Sequence, residues 1–417
     1  MAQQVINVGT VANDRTGDSW RAAMVKVNEN TDELYAALGS IVYVAVESDF
    51  PTQDATTITL DANTLYVLSA DLSTGKSFTC SDGSSITGWN QNGYELTYTG
   101  TGSMFNVTDA SFFVHDMCIK SATAQVFNIE DTIGGVHTFR AEAIEIVEAT
   151  KWGTFDDLRV MIVNSCGAPD VDDGMSFVGS NWVGLLINSL GMNSTSAGFK
   201  GVDLDAAVIP FLDIVSARMF APAGAYGISG VVSSGNLPTG SVANVENCAF
   251  LSAMTDLENI TVDDVRWNFQ NNNPTADTFP AGMVSINGNT TETVIAAVDT
   301  PVKAAGTGTV EIDSFFTVDG TGKMIYDGER DKPITVDINV TIEAASGTNK
   351  SISIYLAKNG TVIANSAKTN IVGASDARNT SVLWLLTLVE TDYVEIFVEN
   401  NTDAVNLIVT DGILRVH

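Results

Sequence analysis

Val163-Asn164-Ser165-Cys166-Gly167-Ala168 and, 24 residues on, Ile187-Asn188-Ser189-Leu190-Gly191-Met192 follow one pattern. A β-branched residue is followed two positions later by a small polar one, and three and five positions later by apolar ones. Val114, Ile214, Val245 and Val262 open segments of the same kind. Their second positions are Asp116, Ser216, Asn247 and Asp264; their third are Met117, Ala217, Cys248 and Val265; their fifth are Ile119, Met219, Phe250 and Trp267. Side chains alternate along a strand, so positions three and five share a face, and the polar residue marks a bend ahead of them. From Val163 onward the anchors lie 24, 27, 31 and 17 residues apart, while 49 residues, about two turns, separate Val114 from Val163. A β-sandwich could yield similar runs. A spacing centred near 24 with variable insertions is instead that of a parallel β-solenoid, one turn per repeat with the insertions ejected as loops. The pattern predicts a parallel β-helix over residues 41–290.

The flanks of this stretch read as further β structure. Ile41 to Val46 starts extended chain, and Thr56 to Leu60, Thr64 to Ser69 and Glu95 to Tyr98 are expected strands. No stretch after Leu38 offers a long helix, so the protein is expected to be mainly β. Between Asn271-Asn272-Asn273-Pro274 and Gly288-Asn289-Thr290-Thr291 the apolar columns stop and Asn and Pro become dense, which marks a boundary. Beyond it, alternation predicts strands over Thr335 to Ile342, Ser351 to Leu356, Val382 to Val389, Tyr393 to Val398 and Leu407 to Val416. Lys358-Asn359-Gly360 predicts a hairpin, because Asn-Gly suits the positive φ angles of a type I′ turn. Five to eight antiparallel strands with long connections point to a jelly-roll β-sandwich over residues 291–417.

Ahead of the solenoid, residues 1–40 contain one helical pattern. Trp20, Met24, Val27, Thr31, Leu34 and Leu38 recur in steps of four and three, an a/d stripe a little under three heptads long. Asp18 or Ser19 is a good N-cap for it. Such a seam is too short to be stable alone, so it needs other copies of itself or a docking surface. An amphipathic helix lying on its own domain is the plainer alternative.

The segment around that helix resembles the N-terminal part of tailed-bacteriophage fibre, spike and appendage proteins. The carrying residues are Ile6-Asn7-Val8-Gly9-Thr10, then Asn13-Asp14-Arg15-Thr16-Gly17-Asp18, Arg21-Ala22-Ala23, Lys26-Val27-Asn28-Glu29-Asn30 and Glu33-Leu34-Tyr35. Arg15 departs from the Gly or Ala more usual there. The resemblance implies a virion-attachment motif, centred on Ile6, Asn7, Gly9, Gly17 and Asp18, at the virion-proximal end of a homotrimer. Gly83 to Gly88 and Tyr94 to Phe105 are similar to the first turns of phage right-handed β-helix spikes. Ile354-Tyr355-Leu356, Lys358-Asn359-Gly360-Thr361 and Asp392 to Asn400 resemble the trimeric tumour-necrosis-factor or C1q-like heads of fibre proteins. The implied partners are the chain itself, other virion proteins at the N-terminal end, and a host-surface glycan or protein at the C-terminal head.

Charge narrows the function classes. The 417 residues carry 20 basic and 50 acidic side chains, a net charge of −30. That field repels a phosphate backbone, so nucleic acid is not an expected partner. The start Met1-Ala2-Gln3-Gln4 shows no secretory pattern, and the longest apolar run, near Val382 to Val389, is too short to span a bilayer. Synthesis in the host cytoplasm, no membrane insertion and a final place in the virion are the expectations. Cys80, Cys118, Cys166 and Cys248 lack metal-ligand spacing and read as buried small hydrophobes.

Candidate chemistry is sparse. Phage β-helix spikes often cleave glycans, which takes two carboxyls across a groove. Asp203 and Asp205, on one face of a strand, are the weak catalytic candidates, and a polysaccharide-degrading tailspike is the enzymatic alternative. A capsid head fibre or decoration protein is the structural alternative. His115, His137 and His417 are isolated, and no metal-binding frame is present. No cofactor is expected; a structural Ca2+ would have to use Asp203-Leu204-Asp205 or Asp170-Val171-Asp172-Asp173-Gly174. Trp89, Trp152, Trp182 and Tyr226 are the aromatics that could stack on sugars, with core packing the more ordinary role.

Overall fold

The computed structural model describes residues 40–90, 93–231, 235–260, 265–328 and 331–417. Ile6, Asn7, Gly9, Gly17 and Asp18 of the attachment motif, and Trp20, Met24, Val27, Thr31, Leu34 and Leu38 of the helix, lie outside the described residues. The chain divides into two compact units, Met1–Asn236 with Glu246–Asn259, and Leu237–Val245 with Ile260–His417.

Parallel pairing organises the first unit. Strands stack rung on rung in a β-solenoid of about nine turns with almost no helix. Three stacks of strands run along it. One contains Ser40–Val44, Thr64–Leu68, Ser84–Thr87 and the start of Phe112–Glu130, then Thr138–Asp156, Val160–Ala168, Gly184–Asn193 and Phe211–Val215. Another ends in the ladder Arg218–Ala221 with Ala249–Ser252. The last includes Met175–Gly179, Lys200–Ala207, Tyr226–Ser229 and Thr255–Glu258.

The repeat read from the sequence sets this register. Val114, Ala141, Val163, Ile187 and Ile214 stand in one column, each paired with the next. Their third-position partners Met117, Ile144, Cys166, Leu190 and Ala217 are buried, as are Ile119, Ile146, Ala168, Met192 and Met219. The second position is the corner between two stacks. Asp116, Ser165, Ser189, Ser216 and Asn247 all take φ of 51–57°, the left-handed region in which short polar side chains are best tolerated. Residues 138–156 supply the turn hidden in the 49-residue gap, with Ala143 at its corner (φ 50°).

Aromatic rings fill the interior where aliphatic columns give way. Phe78 stacks on Phe105 at 5.0 Å, Phe105 on Phe127 at 5.5 Å, and Phe155 on Phe177 at 5.7 Å between ring centroids. All five are 1% exposed or less, and burying each ring contributes roughly 1.5–3 kcal/mol. Cys80, Cys166 and Cys248 are buried as expected, whereas Cys118 is half-buried, off the columns, and pairs in register with Glu95 and Glu145.

The second unit is built on two antiparallel sheets around one core. One sheet orders Thr309–Ser314, Ala281–Ile286, Leu407–Val416, Lys332–Ala344 and Arg378–Leu388; the other is centred on Lys350–Lys358 and Tyr393–Asn400. Val336, Ile338, Val340, Ile354, Val394 and Val398 share the core at 0% exposure. The five long strands expected from alternation are all present, and Asn359 (φ 52°) with Gly360 (φ 74°) makes the predicted hairpin.

Candidate functional site

Asp203 and Asp205 lie on the strand Lys200–Ala207, whose Val202 and Leu204 point into the core, so both carboxylates face outward together. Register then builds a polar column around them: Ser176 pairs with Asp203, Asp203 with Ser229, and Ser229 with Glu258. Lys200 enters this column from its own strand. Its Nζ lies 2.6 Å from Asp205 Oδ2, 2.9 Å from Glu258 Oε2 and 3.9 Å from Asp203 Oδ1. The Ser229 hydroxyl, on a fully buried residue, lies 2.9 Å from Asp205 Oδ1 and 2.6 Å from Glu258 Oε2.

This arrangement does electrostatic work rather than acid–base work. Burial opposes the charge on Lys200, but hydrogen bonds to Asp205 and Glu258 outweigh it and raise its pKa well above the ordinary lysine range. Glu258 is lowered by its bonds to Ser229 and Lys200. A glycosidase acid needs a raised carboxyl pKa and a free proton to deliver. Here the Lys200 ammonium sits among the carboxylates, where a cation would. A Ser229–Lys200 pair, 3.0 Å apart, lacks a nucleophile's access and a base's lowered pKa. Of the other expected calcium ligands, Asp173 is spent on the N–H groups of Gly174 (3.0 Å) and Lys200 (3.1 Å), which ties two rungs together.

A second cluster is hidden in the sequence because Asp109 comes from the turn before the one that carries Asp131 and His137. Among the described residues, Asp109, Asp131 and His137 bring ligand atoms within 4.8 Å of one another and could hold a metal ion. Asp131 already works as a staple: Oδ2 accepts the N–H groups of Val136 (2.8 Å) and His137 (2.7 Å), and Oδ1 that of Gly134 (3.1 Å). Burial raises its pKa, but these backbone donors win and hold it below the usual carboxylate value. Asp109 likewise accepts the N–H of Thr132 at 2.7 Å. Together they close the loop from Asp131 to His137. The cysteines offer no nucleophile: burial pushes Cys118, Cys166 and Cys248 up to about 11. Trp152 and Trp182 are core residues, Tyr226 is half-buried, and Trp89 is exposed.

The second unit presents a different kind of surface. Register places Asp337 opposite Leu383, Thr335 opposite Leu385 and Asn339 opposite Ile413, all on the face turned away from the core, with Ile312 beside Met283 at the far strand. Leu383 and Leu385 are 67% and 68% exposed, Ile413 41% and Ile312 44%. An Asp337–Arg415 ion pair (3.0 Å) sits among them. Four large exposed aliphatics on the outer face of one sheet form a surface that favours being covered.

Residues 3–95 match the family described as "Bacteriophage T4 gp9/10-like protein, N-terminal". The resemblance to tailed-phage fibre, spike and appendage proteins is borne out there. No curated protein matches the chain. Among solved structures, the enzymatically active domain of tailspike protein 4 from bacteriophage CBA120 is similar over 90% of this chain and 64% of its own, at 10% identity and a TM-score of 0.31. The PRD1 vertex protein P5 covers 34% of this chain and 73% of its own, at 10% identity and a TM-score of 0.25. Murine APRIL covers 33% and 98%, at 6% identity and a TM-score of 0.23. These likenesses are distant, and the fold described above stands on the chain's own strand pairing. Among the described residues no helix is long and apolar enough to cross a membrane.

Proposed function

We propose that the chain is a homotrimeric structural appendage of a tailed-phage virion, a tail fibre or tailspike. Its N-terminal segment attaches to the particle, the solenoid is a right-handed β-helix shaft, and the C-terminal sandwich is a jelly-roll head that adheres to the host surface. The observation that carries this reading is the N-terminal match over residues 3–95. The exposed Leu383, Leu385, Ile413 and Ile312 support the trimer, because a second and third copy would cover that face. Adhesion without cleavage is the favoured mode, since Asp203 and Asp205 sit against the Lys200 ammonium. No resident cofactor is part of the proposal.

Immunogold labelling of purified particles with an antibody to residues 291–417 tests it. Gold at the tail is the expected result. Gold around the capsid would make the chain a head fibre or decoration protein, and particles free of gold would overturn the virion assignment altogether.

A further inference from the structure

Asp109 and the loop from Asp131 to His137 lie on successive turns of the solenoid, since Thr108 pairs in register with Glu130 just ahead of them. The Asp131 carboxylate is 0% exposed and offers about four acceptor sites. The N–H groups of Val136 and His137 take two on Oδ2, and that of Gly134 takes one on Oδ1. The remaining Oδ1 site faces His137, whose ring Nδ1 lies 3.2 Å away. That nitrogen is shut off from water and is not aligned for a hydrogen bond to Oδ1 or to any other described residue. Asp109 also keeps acceptor capacity. Its Oδ1 takes the Thr132 N–H at 2.7 Å, and the single proton of the Thr132 hydroxyl serves only one of its two oxygens.

Two carboxylates and an imidazole thus bring ligand atoms within 4.8 Å of one another, each with a site to spare. The ring nitrogen and the oxygen it does not bond have the spacing of two ligands on one ion, because tetrahedral bonds of about 2.0–2.1 Å set neighbouring ligands roughly 3.3 Å apart. Ca2+ and Mg2+ take oxygen ligands, whereas Zn2+ takes imidazole and carboxylate together. Zn2+ also bonds these atoms well inside the roughly 2.8 Å at which a water oxygen would sit, so a gap closed to water still admits the ion. We propose that Asp109, Asp131 and His137 bind one Zn2+ per chain, which fastens the loop from Asp131 to His137 onto the preceding turn. The ion gives the buried Nδ1 its partner, and the two carboxylates balance its charge.

Titration calorimetry of the EDTA-treated full chain with ZnCl2 tests this, run in excess Mg2+ so that the net charge of −30 does not gather Zn2+ diffusely. One Zn2+ per chain should bind with a Kd of about 10 µM or tighter. His137→Gln and Asp109→Asn should each weaken binding about tenfold or more, while His115→Gln should leave it unchanged. If His137→Gln fails to fold, Asp109→Asn decides alone, since Asn247 shows that asparagine holds the same kind of corner. At a hundredfold excess over Kd, Zn2+ should raise the solenoid transition by about 5 °C or more in calorimetry, and less in the two variants. Co2+ in place of Zn2+ should give visible absorption bands that His137→Gln abolishes. Absence of binding in Mg2+, binding equal in all three variants, or loss with His115→Gln would overturn the site. Binding that leaves the solenoid transition in place would overturn the fastening role.

Discussion

Ala143 turns a solenoid corner at φ 50°, where the matching corners carry Asp116, Ser165, Ser189, Ser216 and Asn247. For a residue with a Cβ, this conformation costs about 1–2 kcal/mol, and a short polar side chain recovers part of it by bonding to the local backbone. Ala143→Asn should therefore stabilise the solenoid by about 0.5–1 kcal/mol, while the β-branched Ala143→Val should destabilise it by about 1–2 kcal/mol. In a unit of some 150–250 residues, 1 kcal/mol moves Tm by about 2–4 °C. Differential scanning calorimetry of the full chain should then show the solenoid transition rising by about 1–4 °C for Asn and falling by several degrees for Val. The transition of the second unit should stay in place. A lower Tm with Asn, or an unchanged one with Val, would refute the reasoning that these corners set the register.

Three further outcomes follow from particular residues. If the proposed trimer packs through that face, Leu383→Asp with Leu385→Asp should give a monomer by light scattering while leaving the melting of the isolated subunit within about 0.5 kcal/mol, because both side chains are exposed there. Gly179→Ala should cost about 2 kcal/mol or more, since Gly179 sits at φ 89° and a Cβ there would run into the Asp157 carboxylate; a urea midpoint matching the parent would contradict this. Asp156 is raised by burial and by the neighbouring carboxylates of Asp157 and Glu130, so its charge is a penalty present at neutral pH. That penalty is full above its raised folded pKa and disappears below the ordinary carboxylate value. Asp156→Asn should accordingly stabilise the chain at pH 7 and lose that advantage as the pH falls toward 3.8, which urea titrations at both pH values would show.

Much of the architecture was legible because its constraints are local. The repeat anchors, the polar corner residues and the Asn359-Gly360 hairpin each encode a backbone state in one or two residue types. The turn at residues 138–156 was hidden for the same reason: Ala141 and Ala143 supply neither the β-branched anchor nor the polar corner that the other turns share. The strand Ala281–Ile286 was also obscured, since it lies within the Asn- and Pro-rich stretch that reads as a boundary but joins the antiparallel sheet next to Leu407–Val416. Side-chain chemistry was far less legible. Asp203 and Asp205 do share a face, yet their partner Glu258 and the intervening Ser229 arrive from two later turns, and only register brings them to Lys200. Asp109 and His137 are similarly separated in sequence and meet through Asp131. The apolar outer face of the sandwich was masked because Leu383 and Leu385 alternate with residues that also face an apolar core.

The central claim, a trimer assembled as a virion appendage, is tested most directly by sedimentation equilibrium of the full chain at micromolar concentration. A single species of three times the chain mass is the expected result. A monomer at that concentration would contradict it.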